Sequence, residues 1–395
     1  MADRYRILVL NQISQLGLKR LPAELYEVGK DVAEPDAVLV RSADMHSMRI
    51  PASVRAIGRA GAGTNNIPVK AMSERGVPVF NAPGANANAV KELVLAGMLM
   101  AARNLPAALR FVGALDPAMP DMDKEVEERK KTFAGFELAG HTLGVIGLGK
   151  IGCLVADAAI RLGMHVIGYD PEITVDAAWS LPSQVRKAHS VAEILKTAHF
   201  VTLHVPLMQA TRGLIGASNI EQMRHGAVLL NFSRDGVVDE AAMIAALDAD
   251  RLRYYVCDFP SPAVNAHPRV IALPHLGAST REAEDNCALM VAEQLREYLE
   301  NGDVRNSVNF PDTVAPRESD FRLAIANANV PNMLGQMSTA MANAGLNIHN
   351  MLNKSRGEMA YTLVDVDSPV PDTVVRSLSK IDGVLSVRYL PARNA

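Results

Sequence analysis

Apolar runs of strand length recur along most of the chain. "YRILVLN" (5–11), "AVLVRSAD" (37–44), "VRAIGRAGAGTNNI" (54–67) and "GVPVFNAP" (76–83) form a first series, separated by helical or glycine-bearing stretches. Continuous apolar runs alternating with helices predict a parallel sheet covered on both faces. "NANAVKELVLAGMLMAARNL" (86–105) is apolar on most sides and predicts a helix buried between layers. The charged "DKEVEERKKTF" that follows reads as an exposed helix. Its mixed signs suit a solvated face rather than a nucleic-acid patch.

A second series begins at "HTLGVIGLGKIGCLVADAAIRLGMHVIGYDP" (141–171). It continues with "FVTLHVP" (200–206), "AVLLNFS" (227–233), "RYYVCDF" (253–259) and "RVIALPH" (269–275). The helical run 281–302 closes it, with Gly302 as C-cap. The texture then changes. Residues 303–319 are polar and carry Pro311 and Pro316, which reads as a linker. The remainder reads strand, helix, strand, strand, helix, strand, a ferredoxin-like βαββαβ order. The expected fold is therefore two Rossmann-like or flavodoxin-like α/β domains with a cleft between them, followed by a small ferredoxin-like domain.

Composition narrows the class. At 395 residues the chain is too long for one core. A formal net charge of −3 provides no basic field for nucleic acid. Cys153, Cys257 and Cys287 are scattered, with neither a disulfide framework nor a zinc spacing, which fits a reducing cytoplasm and no metal. The opening "MADRYRILVLNQIS" does not resemble a signal peptide, and "ELVLAGMLMAA" is about half the length needed to cross a bilayer.

The chemistry starts at the glycines. Gly147, Gly149 and Gly152 give G-x-G-x-x-G between a predicted strand and a helix that opens at Lys150 and Ile151. The first glycine permits a tight turn, the second a close approach to a pyrophosphate, and the third close helix–strand packing. The helix N-terminus adds free N–H groups. Asp170 ends the next strand. A carboxylate there accepts from ribose hydroxyls and repels a 2′-phosphate, so NAD is favoured over NADP. Arg234 in "NFSRDGVVDE" and His275 in "LPHLGAST" follow strand ends, where ligands gather in such sheets. Taken alone, Arg234 reads equally well as a surface ion-pair partner, and His275 as a hydrogen-bonded structural histidine.

The runs "RAGAGTNNI", "NAPGANANAVKELVLAGMLMAARNL", "GVIGLGKIG", "HVPLMQATRGLIG", "NFSRDGVVDE" and "LPHLGAST", in this order, resemble the D-isomer-specific 2-hydroxyacid dehydrogenases, and within them the D-3-phosphoglycerate dehydrogenase branch. The resemblance covers essentially the whole chain, with the C-terminal segment similar to an ACT domain. It implies a substrate-binding domain at 1–87 completed by about 276–303, an NAD-binding domain at 88–275, a linker at 304–319 and an ACT domain at 320–395. It implies that Arg234 binds the substrate carboxylate and that His275 is the general acid/base. It assigns Ala62, Gly63 and Asn86 to the substrate, and Arg41 and Arg59 to its phosphate, for which the guanidinium fork is well shaped. His204, Pro206, Thr211, Ser233, Asp258 and Gly277 would join the glycine turn around NAD.

The resemblance further implies oxidation of 3-phosphoglycerate to 3-phosphooxypyruvate on the way to serine, and a homodimer or homotetramer. It places L-serine at an interface between ACT copies, near Asn327, Asn329 and Asn347. Asn332 stands where the ACT pattern has glycine. A larger departure concerns His275. The family's D-V-F-x-x-E-P glutamate, which pairs with the histidine, is missing: no acid lies between Asp258 and His275. Asp258 or Glu282 could take its place. Two alternatives stay open: a glycerate or hydroxypyruvate reductase, and a non-catalytic NAD-sensing protein.

Overall fold

The computed structural model describes residues 4–391; positions 1–3 and 392–395, at the edges of the expected first and last domains, lie outside the described residues. The chain divides into two compact units. One runs up to Asn86 and resumes at Arg281; the other is Ala87–Thr280.

The first unit contains a five-stranded sheet. In spatial order its strands are Tyr26–Gly29, Tyr5–Val9, Ala37–Val40, Ala56–Arg59 and Val79–Phe80. Every pairing is parallel, in the flavodoxin-like 2-1-3-4-5 order. All four residues of Ala37–Val40 are buried, the expected fate of a central strand covered on both faces. The helix Arg281–Asn301 covers one face with Val291, Leu295, Tyr298 and Leu299. Gly302 follows it at φ +78°, donating to Tyr298 O, the C-cap read from the sequence.

The C-terminal part of this unit has the βαββαβ order. Its strands lie Ile348–Arg356, Met359–Val366, Phe321–Ala328, Val384–Pro391, all antiparallel. Helices Met333–Asn343 and Asp372–Leu378 cover one face, over Leu323, Ile325, Val364 and Val366. The opposite face is also covered. Ala324, Ala326, Tyr361, Leu363 and Leu390 share an apolar cluster with Ile7, Phe80, Tyr298 and Leu299.

The expected linker is a packed strap. Val304, Phe310 and Thr313 are fully buried, and Val304 pairs with Thr313. Some of the polar residues that suggested solvent, Ser307 and Asn309 among them, are turned to the sheet edge, while Arg305, Asp312 and Glu318 stay exposed. Asn309 Oδ1 accepts from Val79 N (2.8 Å), and Val308 N donates to Val79 O (2.8 Å).

The second unit contains a seven-stranded parallel sheet. In spatial order its strands are Val270–Ala272, Leu252–Cys257, Ala227–Asn231, Phe200–Leu203, Thr142–Ile146, His165–Tyr169 and Arg186–Lys187. This is the doubly wound Rossmann order extended by one strand. Helix Ala87–Ala102 packs on it through Val90, Val94 and Met98, as its apolar sequence predicts. Helix Met122–Arg129 has no buried residue. No single helix among the described residues is long and apolar enough to cross a membrane. Strands Tyr26–Gly29 and Arg186–Lys187 and helix Leu105–Gly113 were not anticipated.

Candidate functional site

In the second unit the candidate residues gather at the carboxyl ends of the strands. The direction of winding reverses between Thr142–Ile146 and Phe200–Leu203, the position where such sheets bind ligands. Gly147 leaves its strand at φ +93°, and a Cβ there would lie 2.6 Å from His204 O. A Cβ on Gly152 would meet Gly147 O at 2.0 Å, so helix Lys150–Arg161 starts hard against the turn. Gly149, the N-cap, faces open space, with nothing within 4 Å of a built Cβ. Thus two glycines satisfy packing and the middle one leaves room, as a pyrophosphate requires.

Asp170 is half-buried at the next strand end. Its Oδ2 accepts from Leu148 N (2.8 Å) and its Oδ1 from Glu172 N (2.9 Å), which fixes the carboxylate beside the glycine turn. Each oxygen retains a lone pair for a hydroxyl. His204 Nε2 contacts Thr202 Oγ1 at 3.0 Å, while its Nδ1 is buried with no partner, an atom that a bound ligand would satisfy. Burial pushes its pKa down to about 3, so this imidazole is neutral. Pro206 O accepts from Thr211 Oγ1 at 2.5 Å, closing the loop after that strand. These residues fit a dinucleotide.

Three neighbouring strands supply the remainder. Arg234 follows Ala227–Asn231, Asp258 follows Leu252–Cys257, and His275 follows Val270–Ala272. Arg234 is exposed and extended, with Nη1 donating to Ser233 O (2.6 Å). Buried Asn231 donates to Arg234 O (2.8 Å) and accepts from the Ser233 hydroxyl (2.9 Å), so it ties this loop to its strand. Asp258 is 2% exposed, and its two oxygens accept from Leu276 N and Gly277 N, both at 2.7 Å. Burial raises its pKa, against the pull of those N–H groups and of His275.

Asp258 therefore does not replace the missing glutamate as a ring partner; it grips the backbone beside the ring. Glu282 belongs to the first unit. Among the described residues no carboxylate forms an ion pair with His275. Its ring packs edge-on against Phe259, with centroids 5.1 Å apart and planes at 65°. Phe259 and Asn231 were missed because each resembles ordinary strand-end filler in the sequence.

In the first unit, Arg41 follows Ala37–Val40 and Arg59 ends Ala56–Arg59, on adjacent strands. The Arg59 guanidinium folds back over Gly61: a Cβ there would lie 2.1 Å from Arg59 Nη1, so a larger residue would push the guanidinium aside. Asn81 donates to Ala62 O (2.5 Å) and shapes the loop, leaving the N–H groups of Ala62 and Gly63 without a partner among the described residues. Asn86 Oδ1 is likewise buried and unpaired. Cys287 is 3% exposed; burial raises its pKa, the charges of Arg59 and Arg41 lower it, and Glu284 raises it. All three charges therefore act on one thiol.

The strand register separates the three asparagines of the C-terminal domain. Asn327 pairs with Ala360, and Asn329 N donates to Glu358 O. Asn347 precedes Ile348, which pairs with Val366 at the other end of the same strand. That separation is roughly 20 Å at the rise of a strand. Within one chain these residues form no common pocket.

Residues 95–277 match the family model of the D-isomer specific 2-hydroxyacid dehydrogenase NAD binding domain. A D-3-phosphoglycerate dehydrogenase of Escherichia coli is 33% identical over 349 residues, 85% of this chain and 81% of that protein. The chain belongs to the D-isomer specific 2-hydroxyacid dehydrogenases. A Methanocaldococcus jannaschii protein of the same name is 38% identical over 295 residues, 72% of this chain; the chain spans 54% of that relative's length. The NAD+-bound 3-phosphoglycerate dehydrogenase structure of Entamoeba histolytica superposes with a TM-score of 0.62 at 26% identity, covering 78% of this chain and 99% of that one. The Rhodotorula graminis D-mandelate dehydrogenase structure, at 22% identity and a TM-score of 0.68, shares the fold over 80% of this chain and 100% of its own. In this dehydrogenase the glycine turn, Asp170 and His204 thus belong to an NAD-binding domain.

Proposed function

We propose that this dehydrogenase oxidises D-3-phosphoglycerate at C2 to 3-phosphooxypyruvate in the cytoplasm, the first step of a route to serine. The observation that carries this reading is the placement of Arg41 and Arg59 at the ends of adjacent strands in the first unit. A 2-hydroxy acid without phosphate has no use for two further guanidinium groups besides Arg234. This also disfavours the glycerate or hydroxypyruvate reductase reading. The retained Arg234 and His275 disfavour a non-catalytic NAD sensor.

Each group has a task. Arg41 and Arg59 hold the phosphate, each guanidinium offering parallel N–H donors. The Ala62 and Gly63 N–H groups and Arg234 hold the carboxylate. His275 takes the proton from the C2 hydroxyl, and Arg234 stabilises charge on the oxygen as it becomes a carbonyl. Bound NAD, held on the glycine turn and at Asp170, accepts hydride.

The test is NADH formation from D-3-phosphoglycerate, followed by absorbance. Arg59→Ala is expected to raise KM for phosphoglycerate about 10- to 100-fold, the worth of charged hydrogen bonds, while changing turnover of unphosphorylated glycerate little. Equal loss on both substrates removes the phosphate assignment.

Assembly as a homodimer or homotetramer is supported by helix Leu105–Gly113. It buries no residue and exposes Leu105, Leu109 and Val112, an apolar stripe that a second copy would cover. Leu109→Asp is expected to shift sedimentation towards the monomer. L-serine regulation requires two C-terminal domains, since Asn347 lies at the end of its sheet opposite Asn327 and Asn329. Millimolar serine is expected to inhibit the oligomer and to leave a Leu109→Asp monomer unaffected.

A further inference from the structure

Arg41 already holds an anion. Its Nη2 donates to Glu284 Oε1 at 2.6 Å, with the two side chains 36% and 42% exposed. Glu284 lies in the first turn of helix Arg281–Asn301, beside Glu282. The helix dipole accounts for acids in a first turn, but not for one directed at Arg41. Cys287, one helical turn further on, senses Arg41, Arg59 and Glu284 together.

We infer that Glu284 is a specificity-determining residue: the internal counter-anion of the phosphate subsite, which an incoming ligand must displace from Arg41. The inference rests on the reading of Arg41 and Arg59 as phosphate-binding. A guanidinium fork accepts one oxyanion in its best geometry. A phosphate monoester brings nearly two charges and three acceptor oxygens, and outcompetes a carboxylate for that fork. A ligand with one charge or none at this end gains less from Arg41 than Glu284 gives up. The carboxylate thereby sets a threshold that phosphate passes and a hydroxymethyl or carboxylate end does not. Selectivity comes from an element that resists the wrong ligand as well as from groups that hold the right one.

The experiment uses the full-length enzyme and the near-isosteric Glu284→Gln. It measures KM for D-3-phosphoglycerate, inhibition by inorganic phosphate and by malonate, and the phosphate-dependent rise in melting temperature, a readout that needs no turnover. Glu284→Gln is expected to lower both the phosphoglycerate KM and the phosphate inhibition constant about 3- to 10-fold. Malonate inhibition is expected to strengthen by more, because the threshold is gone. In an Arg41→Ala background the second substitution is expected to add nothing. If Arg41→Ala leaves phosphoglycerate KM unchanged, the phosphate-site reading itself fails. If Arg41→Ala raises KM but Glu284→Gln raises it too, or leaves KM and both inhibition constants unchanged, the counter-anion role is overturned. Glu284→Ala repeats the measurement should the glutamine variant not fold.

Discussion

His275 has its backbone at φ +56°, in the left-handed region that is uncommon for any residue with a Cβ. Such a conformation costs of order 1–3 kcal/mol and persists only where the surroundings impose it. Asp258 imposes it, by accepting from the two N–H groups that follow. Phe259, the next residue, lays its ring against the imidazole. The aspartate holds the main chain and the phenylalanine the side chain. Asp258→Ala is expected to lower stability by about 1–3 kcal/mol, because two N–H groups lose their acceptor. It is also expected to lower kcat, since the turn relaxes. Chemical denaturation and steady-state kinetics check the two parts. Phe259→Leu separates them. It is expected to lower kcat several-fold with little change in the KM for NAD or in the denaturation midpoint, and Phe259→Tyr is expected to restore kcat. A leucine variant with unchanged kcat removes the positioning role.

Helix Arg281–Asn301 carries Glu284 near its start and meets the C-terminal domain at its end. There Arg388 Nη1 and Nη2 donate to Tyr298 O (3.0 Å) and Leu299 O (2.9 Å), a cationic cap on the last turn. Arg322 is buried and commits all five N–H groups: two to Asp365, and one each to the carbonyls of Asn301, Ala315 and Pro316. Burial pushes Asp365 up, but the Arg322 hydrogen bonds and charge outweigh it and leave the pKa lowered. A depressed acid contributes stability above its unfolded pKa, and loses it as pH falls through the folded one. The wild type is therefore expected to lose stability below about pH 4 more steeply than Asp365→Asn. At neutral pH, removing either partner alone is expected to cost about 3–5 kcal/mol, because it strands a buried charge; thermal melts across pH check both. None of this was legible in the sequence. The glycine turn, the strands and the residues after them were, because their signals are local: spacing, period and a motif at a strand end. The strap at 303–319 was not, because its Asn309 is satisfied by a strand more than 200 positions earlier. Nor were the partners of Arg41 and Arg322, since pairing across 243 and 43 positions leaves no trace in one sequence.

Across the first unit, the C-terminal domain is part of the fold that carries Arg41 and Arg59. A ferredoxin-like sheet with helices on one side has a second face to cover. Here the cover is the five-stranded parallel sheet and its long helix, with Tyr361 donating to Gly302 O (2.8 Å) and Arg388 stacked over Tyr298 at 4.4 Å. An independent sensor on a loose tether could be removed without harm to the rest. A domain sharing a core could not. A chain ending after residue 319 would expose Phe80, Tyr298, Leu299 and Phe310, at about 1.5–3 kcal/mol for each large side chain returned to water. That sum is comparable to the whole stability of a typical domain. The truncated protein is expected to aggregate on expression, or to melt far below the full chain. A milder variant keeps the question answerable if it cannot be purified. Tyr361→Phe removes the single bond to Gly302 O and is expected to lower the melting temperature by a few degrees, as about 1 kcal/mol does. A truncated chain that melts like the intact one would show the C-terminal sheet to be an appendage.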